Sequence, residues 1–153
     1  PDVLISTFGT TQKTAGSKQG FYRIDHDYVL GFAKAGRAAG APHMMIVSSV
    51  SANRDASSFY LRVKGEIESH ISALNFDRFD IFRPGLLLGD RRDHRFAEQL
   101  GAKLMPTLAP VIPSKYRAIH SGVVAKAMAH RVSQEDTGHH FFHNRDILRL
   151  ARQ

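Results

Sequence analysis

The sequence predicts an α/β fold, a three-layer sandwich in which a parallel sheet carries helices on both faces. Three observations predict it. Short apolar runs at residues 3–8, 43–48 and 79–82 have the length and near-continuous hydrophobicity of strands buried on both sides. Segments with helical spacing of apolar residues lie between them. Strands separated by helices need crossover connections, and those set successive strands parallel.

The elements follow in order. Residues 3–8 form the first strand, ended by Gly9. Residues 9–20 are rich in Thr, Ser and Gly and predict a loop. Phe21, Ile24, Tyr28, Phe32 and Ala35 recur every three or four residues, which predicts a helix over 21–39 with these side chains buried. Gly40 stops it and Pro42 lies just beyond. After the strand at 43–48 comes a polar loop, then a helix over 59–74 with Tyr60, Val63, Ile67 and Ile71 on one face. The strand at 79–82 ends at Arg83-Pro84-Gly85, and a short apolar piece follows at 86–88. Helices are expected at 95–105, stopped by Pro106, and at 123–132. A last strand is expected at 140–142, with Asn144 capping a terminal helix that starts at Arg145. No repeat, low-complexity tract or linker divides the chain, so residues 1–153 read as one domain.

Composition narrows the function classes. The chain is 42% hydrophobic, enough for a packed core. No stretch approaches the ~18–20 apolar residues of a membrane span. Residue 1 is Pro and leads directly into an apolar strand, with no signal-peptide pattern; the chain reads as a fragment, a processed product or one piece of a split protein. There is no cysteine, hence no disulfide framework and no thiolate metal site, and a cytoplasmic location is expected. The net charge of +7 is spread over Arg91, Arg92, Arg95, Lys115, Arg117, Arg145, Arg149 and Arg152. Such a spread suits an anionic ligand, although each residue taken alone reads as solvated surface charge. Basic motifs interleaved with aromatic residues are missing, so nucleic-acid binding is not expected. His139, His140 and His143 do not share one face and have no cysteine beside them. They read as surface histidines, and no metal is expected.

The chemistry lies in Tyr60-Leu61-Arg62-Val63-Lys64. On a helix, positions i and i+4 are neighbours. A lysine ammonium there favours the tyrosinate form of its neighbour. A free tyrosine, with a pKa near 10, is otherwise a poor acid or base at neutral pH. A serine at the end of the second strand, Ser49 first and Ser48 next, is placed to polarise a substrate carbonyl. Tyr-x-x-x-Lys alone is also an ordinary surface pair; the serines upstream shift the reading to catalysis.

A family resemblance rests on several motifs in order. They are Phe8-Gly9-Thr10-Thr11, Ala15-Gly16-Ser17, Asp25-His26-Asp27-Tyr28-Val29, Ser48-Ser49, Ser57-Ser58-Phe59-Tyr60, Val63-Lys64-Gly65-Glu66, Phe76-Asp77-Arg78-Phe79, Arg83-Pro84-Gly85 and Leu87-Leu88-Gly89-Asp90-Arg91. Over residues 1–130 the chain resembles the Tat-interacting-protein oxidoreductase group of atypical short-chain dehydrogenases/reductases. The resemblance implies a Rossmann-like, NAD(P)-binding fold. It implies an oxidoreductase that moves a hydride and a proton on a small carbonyl or alcohol, with NADP(H) favoured over NAD(H). It also allows a catalytically silent NADPH-binding regulator that acts through protein partners. Under the resemblance Tyr60 is the proton carrier, Lys64 holds the cofactor ribose and tunes Tyr60, and Ser49 is the catalytic serine. Phe8, Gly9, Arg83, Pro84, Gly85 and Arg95 approach the cofactor. One departure stands out: no G-x-G-x-x-G occurs, so the glycine-rich strand-turn-helix that receives the pyrophosphate is missing. In the strand order 3-2-1-4-5-6, residues 3–8 are then an apolar edge. A missing N-terminal segment or a neighbouring chain is expected to cover it.

Overall fold

The computed structural model describes residues 1–88 and 113–153. The helix expected at 95–105, and Arg91, Arg92 and Arg95, lie outside the described residues. In chain order, β1 (Val3–Ser6) leads into α1 (Gln12–Ala15), α2 (Lys18–Tyr22), a π-helical turn (Arg23–Tyr28) and α3 (Val29–Ala38). Then come β2 (His43–Val47), α4 (Phe59–Ser72), β3 (Arg78–Arg83) and β4 (Leu87–Leu88). The remainder holds a 3-10 turn (Ser114–Tyr116), β5 (Ile119–His120), α5 (Ser121–Val132), β6 (Gly138–His143) and α6 (Asn144–Leu150).

The main sheet has the order β1-β2-β3-β6, and every pair is parallel. Side chains alternate between the faces of a strand, so the sheet feeds two cores. On one face Leu4, Met44, Ile46, Phe79 and Ile81 pack against Val29 and Ala33 of α3 and Ile67 and Ile71 of α4. On the other, Met45, Phe82 and Phe142 pack against Val124 and Met128 of α5 and Ile147 and Leu150 of α6. The parallel α/β sandwich is therefore present. β4 and β5 form a separate two-stranded parallel sheet.

Three local expectations are corrected. The loop expected at 9–20 contains two short helices. The Thr11 hydroxyl accepts from the Thr14 N–H, and the Ser17 hydroxyl from the Gly20 N–H, so the polar residues act as helix caps. The buried face of the following helix is also displaced by one residue. Phe21 is buried, but after it come Asp25, Val29, Ala33 and Gly36, while Tyr28 and Phe32 are 52% and 45% exposed. The π-helical turn inserts one extra residue, and that rotates everything downstream by about 100° of helix. Finally, Asn144 does not cap α6. His143 holds the cap position and its N–H donates to Asp146 Oδ2 at 3.2 Å.

At the N-terminal end of the sheet, Asp80 is fully buried. Its carboxylate accepts from Arg78 Nη2 at 2.7 Å, Arg131 Nε at 3.1 Å and His43 Nε2 at 3.2 Å. Burial pushes its pKa up, but the hydrogen bonds from His43, Arg131 and Arg78 outweigh that and hold it well below the usual carboxylate range. A depressed native pKa gives stability that is complete above the unfolded value of 3.8 and is lost as pH falls toward the native one. Asp80→Ala leaves two buried guanidinium groups short of their counter-charge. It should cost about 3–5 kcal/mol, read as a lower denaturation midpoint in urea at pH 7.

Candidate functional site

The candidate residues gather at the C-terminal ends of β1, β2 and β3. Ser58 precedes α4, and Tyr60 sits in its first turn, 37% exposed, with its ring 5.8 Å from that of Phe21. Lys64 follows one turn later and is buried. Its Nζ lies 6.0 Å from the centre of the Tyr60 ring and 2.8 Å from Oδ1 of Asp25, which is also buried. Asp25 Oδ2 accepts the backbone N–H of Thr10 at 2.8 Å. Gly9 completes the group: a Cβ there would stand 3.1 Å from Asp25 Oδ1 and 3.6 Å from Lys64 Nζ. At Gly9 the ion pair therefore meets backbone without a side chain.

Both candidate serines lie where β2 ends. Ser48 is buried, its N–H donates to Phe82 O at 2.7 Å, and its hydroxyl has no partner among the described residues. Ser49 is half-buried, and its hydroxyl donates to Val50 O at 3.3 Å. The loop after them is pressed onto α4 at Gly65, where a Cβ would meet the Asn53 and Arg54 backbone at 2.3 Å.

The turn after β3 is tied into the chain. The Pro84 carbonyl accepts from the Val50 N–H at 2.9 Å, and the Gly85 N–H donates to Asn144 Oδ1 at 2.8 Å. Asn144 is buried and donates from Nδ2 to Ser114 O at 3.1 Å and to Arg117 O at 2.6 Å. That anchors the 114–117 segment against Gly85, where a Cβ would stand 2.5 Å from Arg117 O. Tyr116 reaches the cleft margin with its hydroxyl 3.4 Å from the hydroxyl of Ser51, a residue in the left-handed backbone region. The Ser51 hydroxyl and Lys115 lower the pKa of Tyr116.

No family model matches the chain. Protein HTATIP2 of Rattus norvegicus is 38% identical over 152 residues, which is 99% of this chain and 62% of the rat protein. This chain is an HTATIP2 homologue. It is also 44% identical over 98 residues to protein fmp52, mitochondrial, of Aspergillus niger, covering 64% of this chain and 42% of that protein. Among solved structures, RMD from Pseudomonas aeruginosa complexed with NADPH superposes with a TM-score of 0.64 at 14% identity, over 94% of this chain and 61% of its own. MoeE5 in complex with UDP-glucuronic acid and NAD gives 0.68 at 16% identity, over 92% and 55%. At these identities the structures share the Rossmann-like fold with this HTATIP2 homologue, which spans about three fifths of their length.

The fungal name overturns the cytoplasmic expectation: relatives from several fungi are mitochondrial by name. A lack of cysteine speaks only to disulfides and thiolate ligands, and it does not separate one compartment from the other.

In this HTATIP2 homologue the acidic side chains of α4 pair with residues other than Lys64. Glu68 is buried and takes both Nε and Nη2 of Arg83, whose guanidinium lies over the Phe141 ring. Tyr22 donates to Glu66, and burial together with that carboxylate raises the Tyr22 pKa to about 12. Phe8 is 55% exposed beyond the end of β1. Among the described residues no three His, Cys, Asp or Glu side chains gather in a way that would hold a metal ion. His139 meets Ser72 Oγ, and His140 meets the Thr137 carbonyl.

The functional residues missed were Asp25, Tyr116 and Asn144. Only Asp25 left a trace: it stands four residues from both Phe21 and Val29, an acid in the middle of an apolar stripe. Asn144→Ala should release three hydrogen bonds and loosen the 113–120 segment. The expected loss is about 2–3 kcal/mol, with faster amide exchange at Gly85, measured by hydrogen–deuterium exchange.

Proposed function

We propose that this chain forms the catalytic part of an NAD(P)(H)-dependent oxidoreductase acting on a small carbonyl or alcohol. The observation that carries the reading is Tyr60, exposed at the cleft mouth, with Lys64 one turn behind it at the C-terminal ends of parallel strands. Open α/β sheets bind their ligands at that end. Residues 1–153 are taken as a single partial domain.

The described residues suit the nicotinamide-ribose half of a dinucleotide. Gly9 offers a surface without a side chain, and Lys64 supplies ammonium protons beside it. The pyrophosphate has no counterpart here, because the sequence contains no G-x-G-x-x-G. A bound nicotinamide supplies or accepts the hydride. Tyr60 then gives the proton to the substrate oxygen, or takes it, and a serine hydroxyl orients that oxygen. Ser49 is one candidate. The unpartnered buried hydroxyl of Ser48 gives Ser48 the stronger support. Phe8, Arg83, Pro84 and Gly85 would border the nicotinamide. The +7 charge favours NADPH over NADH through its extra phosphate. Complexes with NADPH and with NAD both occur among the structural neighbours.

The second reading is a silent NADPH-binding regulator working through protein partners. The Asp25–Lys64 pair favours it, since the lysine charge is already matched. Turnover decides between them. In the full-length gene product with NADPH and a panel of small aldehydes and ketones, Tyr60→Phe should lower kcat about 10²- to 10⁴-fold and leave the NADPH Kd unchanged. Full turnover in the variant ends the catalytic reading. Ser48→Ala should reduce kcat more than Ser49→Ala does.

The outer edge of β1, with Ile5 45% exposed, is proposed to pair with a further strand, supplied by an N-terminal segment or a neighbouring chain. Amides of residues 3–6 should then exchange as slowly in the full-length protein as those of β3. Rapid exchange there excludes such pairing.

A further inference from the structure

We infer that Asp25 is a positioning residue for Lys64, a buried carboxylate that fixes the ammonium beside Tyr60 and offsets the field it exerts on the phenol. This rests on the proposed site and adds a residue to it.

The geometry is specific. Asp25 is 1% exposed, and a carboxylate at such a place is tolerated only when paired. One oxygen faces Lys64 Nζ at 2.8 Å and the other takes the Thr10 N–H at 2.8 Å. Asp25 stands one helical turn after Phe21, inside the π-helical turn, and the extra residue of that turn keeps Val29 and Ala33 in the core behind it. Gly9 is the third part, since a side chain there would press on the pair.

The electrical consequence follows from the charges. Lys64 alone would favour the Tyr60 phenolate. Asp25, 2.8 Å from the same ammonium, opposes it, and the phenol sees a near-neutral pair. Other elements around Tyr60 add little. Phe21 from α2 is apolar, and Lys18 and Arg62 lie over the neighbouring Phe59 ring at 5.6 and 5.8 Å.

The test reads the phenol directly. The chain has four tyrosines and no tryptophan. Tyrosine labelled with ¹³C at Cζ gives one NMR signal per ring, and Tyr60→Phe assigns the one that matters. In Asp25→Asn the titration midpoint of Tyr60 should fall by about one pH unit. In Gly9→Ala, whose methyl group crowds the pair without altering any charge, it should fall by less. A purely structural Asp25 would lower the melting temperature and leave the midpoint where it is. A midpoint that stays or rises in both variants overturns the inference. If Asp25→Asn does not fold, Gly9→Ala decides alone. Turnover in Tyr60→Phe is a separate readout. Its retention removes the catalytic reading but not the coupling, whereas its loss with an unmoved midpoint removes the coupling alone.

Discussion

Two opposite charges shut away from solvent organise the cleft: the Lys64 ammonium and the Asp25 carboxylate. Taking each out of water costs several kcal/mol, and their attraction offsets this only while their geometry is kept. The requirement spreads outward. α4 must present Lys64 toward β1, the π-helical turn must present Asp25 toward α4, and residue 9 must have no side chain. Tyr60 gains its place from the same helix, one turn before the lysine. The cleft is rigid on this side because moving any one of these parts strands a buried charge.

The opposite side is held by neutral hydrogen bonds. Asn144 uses its oxygen and both amide hydrogens, and so joins the turn after β3 to the 114–117 segment. Tyr116 and Lys115 remain exposed there.

What the sequence revealed and what it hid have a common cause. Strands buried on both faces are legible because every residue in them tends to be apolar, as in His43–Val47. Tyr60 and Lys64 are legible because their separation is one helical turn, a local relation. The pairs that mattered most besides these are non-local: Asp25 with Lys64, Glu68 with Arg83, and Gly85 with Asn144. No local period encodes them. The π-helical turn hid the face of α3, because a single extra residue turns a correct 3.6-residue pattern to the wrong side, with Tyr28 and Phe32 left in solvent.

Asp80 also settles a question that hydrophobicity leaves open. β2 is apolar toward both cores, so sliding it by one residue against β3 would exchange Met44 and Met45 between two oily environments at little cost. Polar contact makes the distinction. In the observed alignment Met45 stands beside Asp80, and His43, two residues earlier on the same face, reaches the carboxylate. A slipped strand would bring Met44 or Ile46 no substitute for that imidazole. The charge at the foot of the sheet therefore acts as an index mark, selecting one alignment among several that greasy side chains alone would accept, and so fixes the height at which Ser48 and Ser49 emerge at the other end.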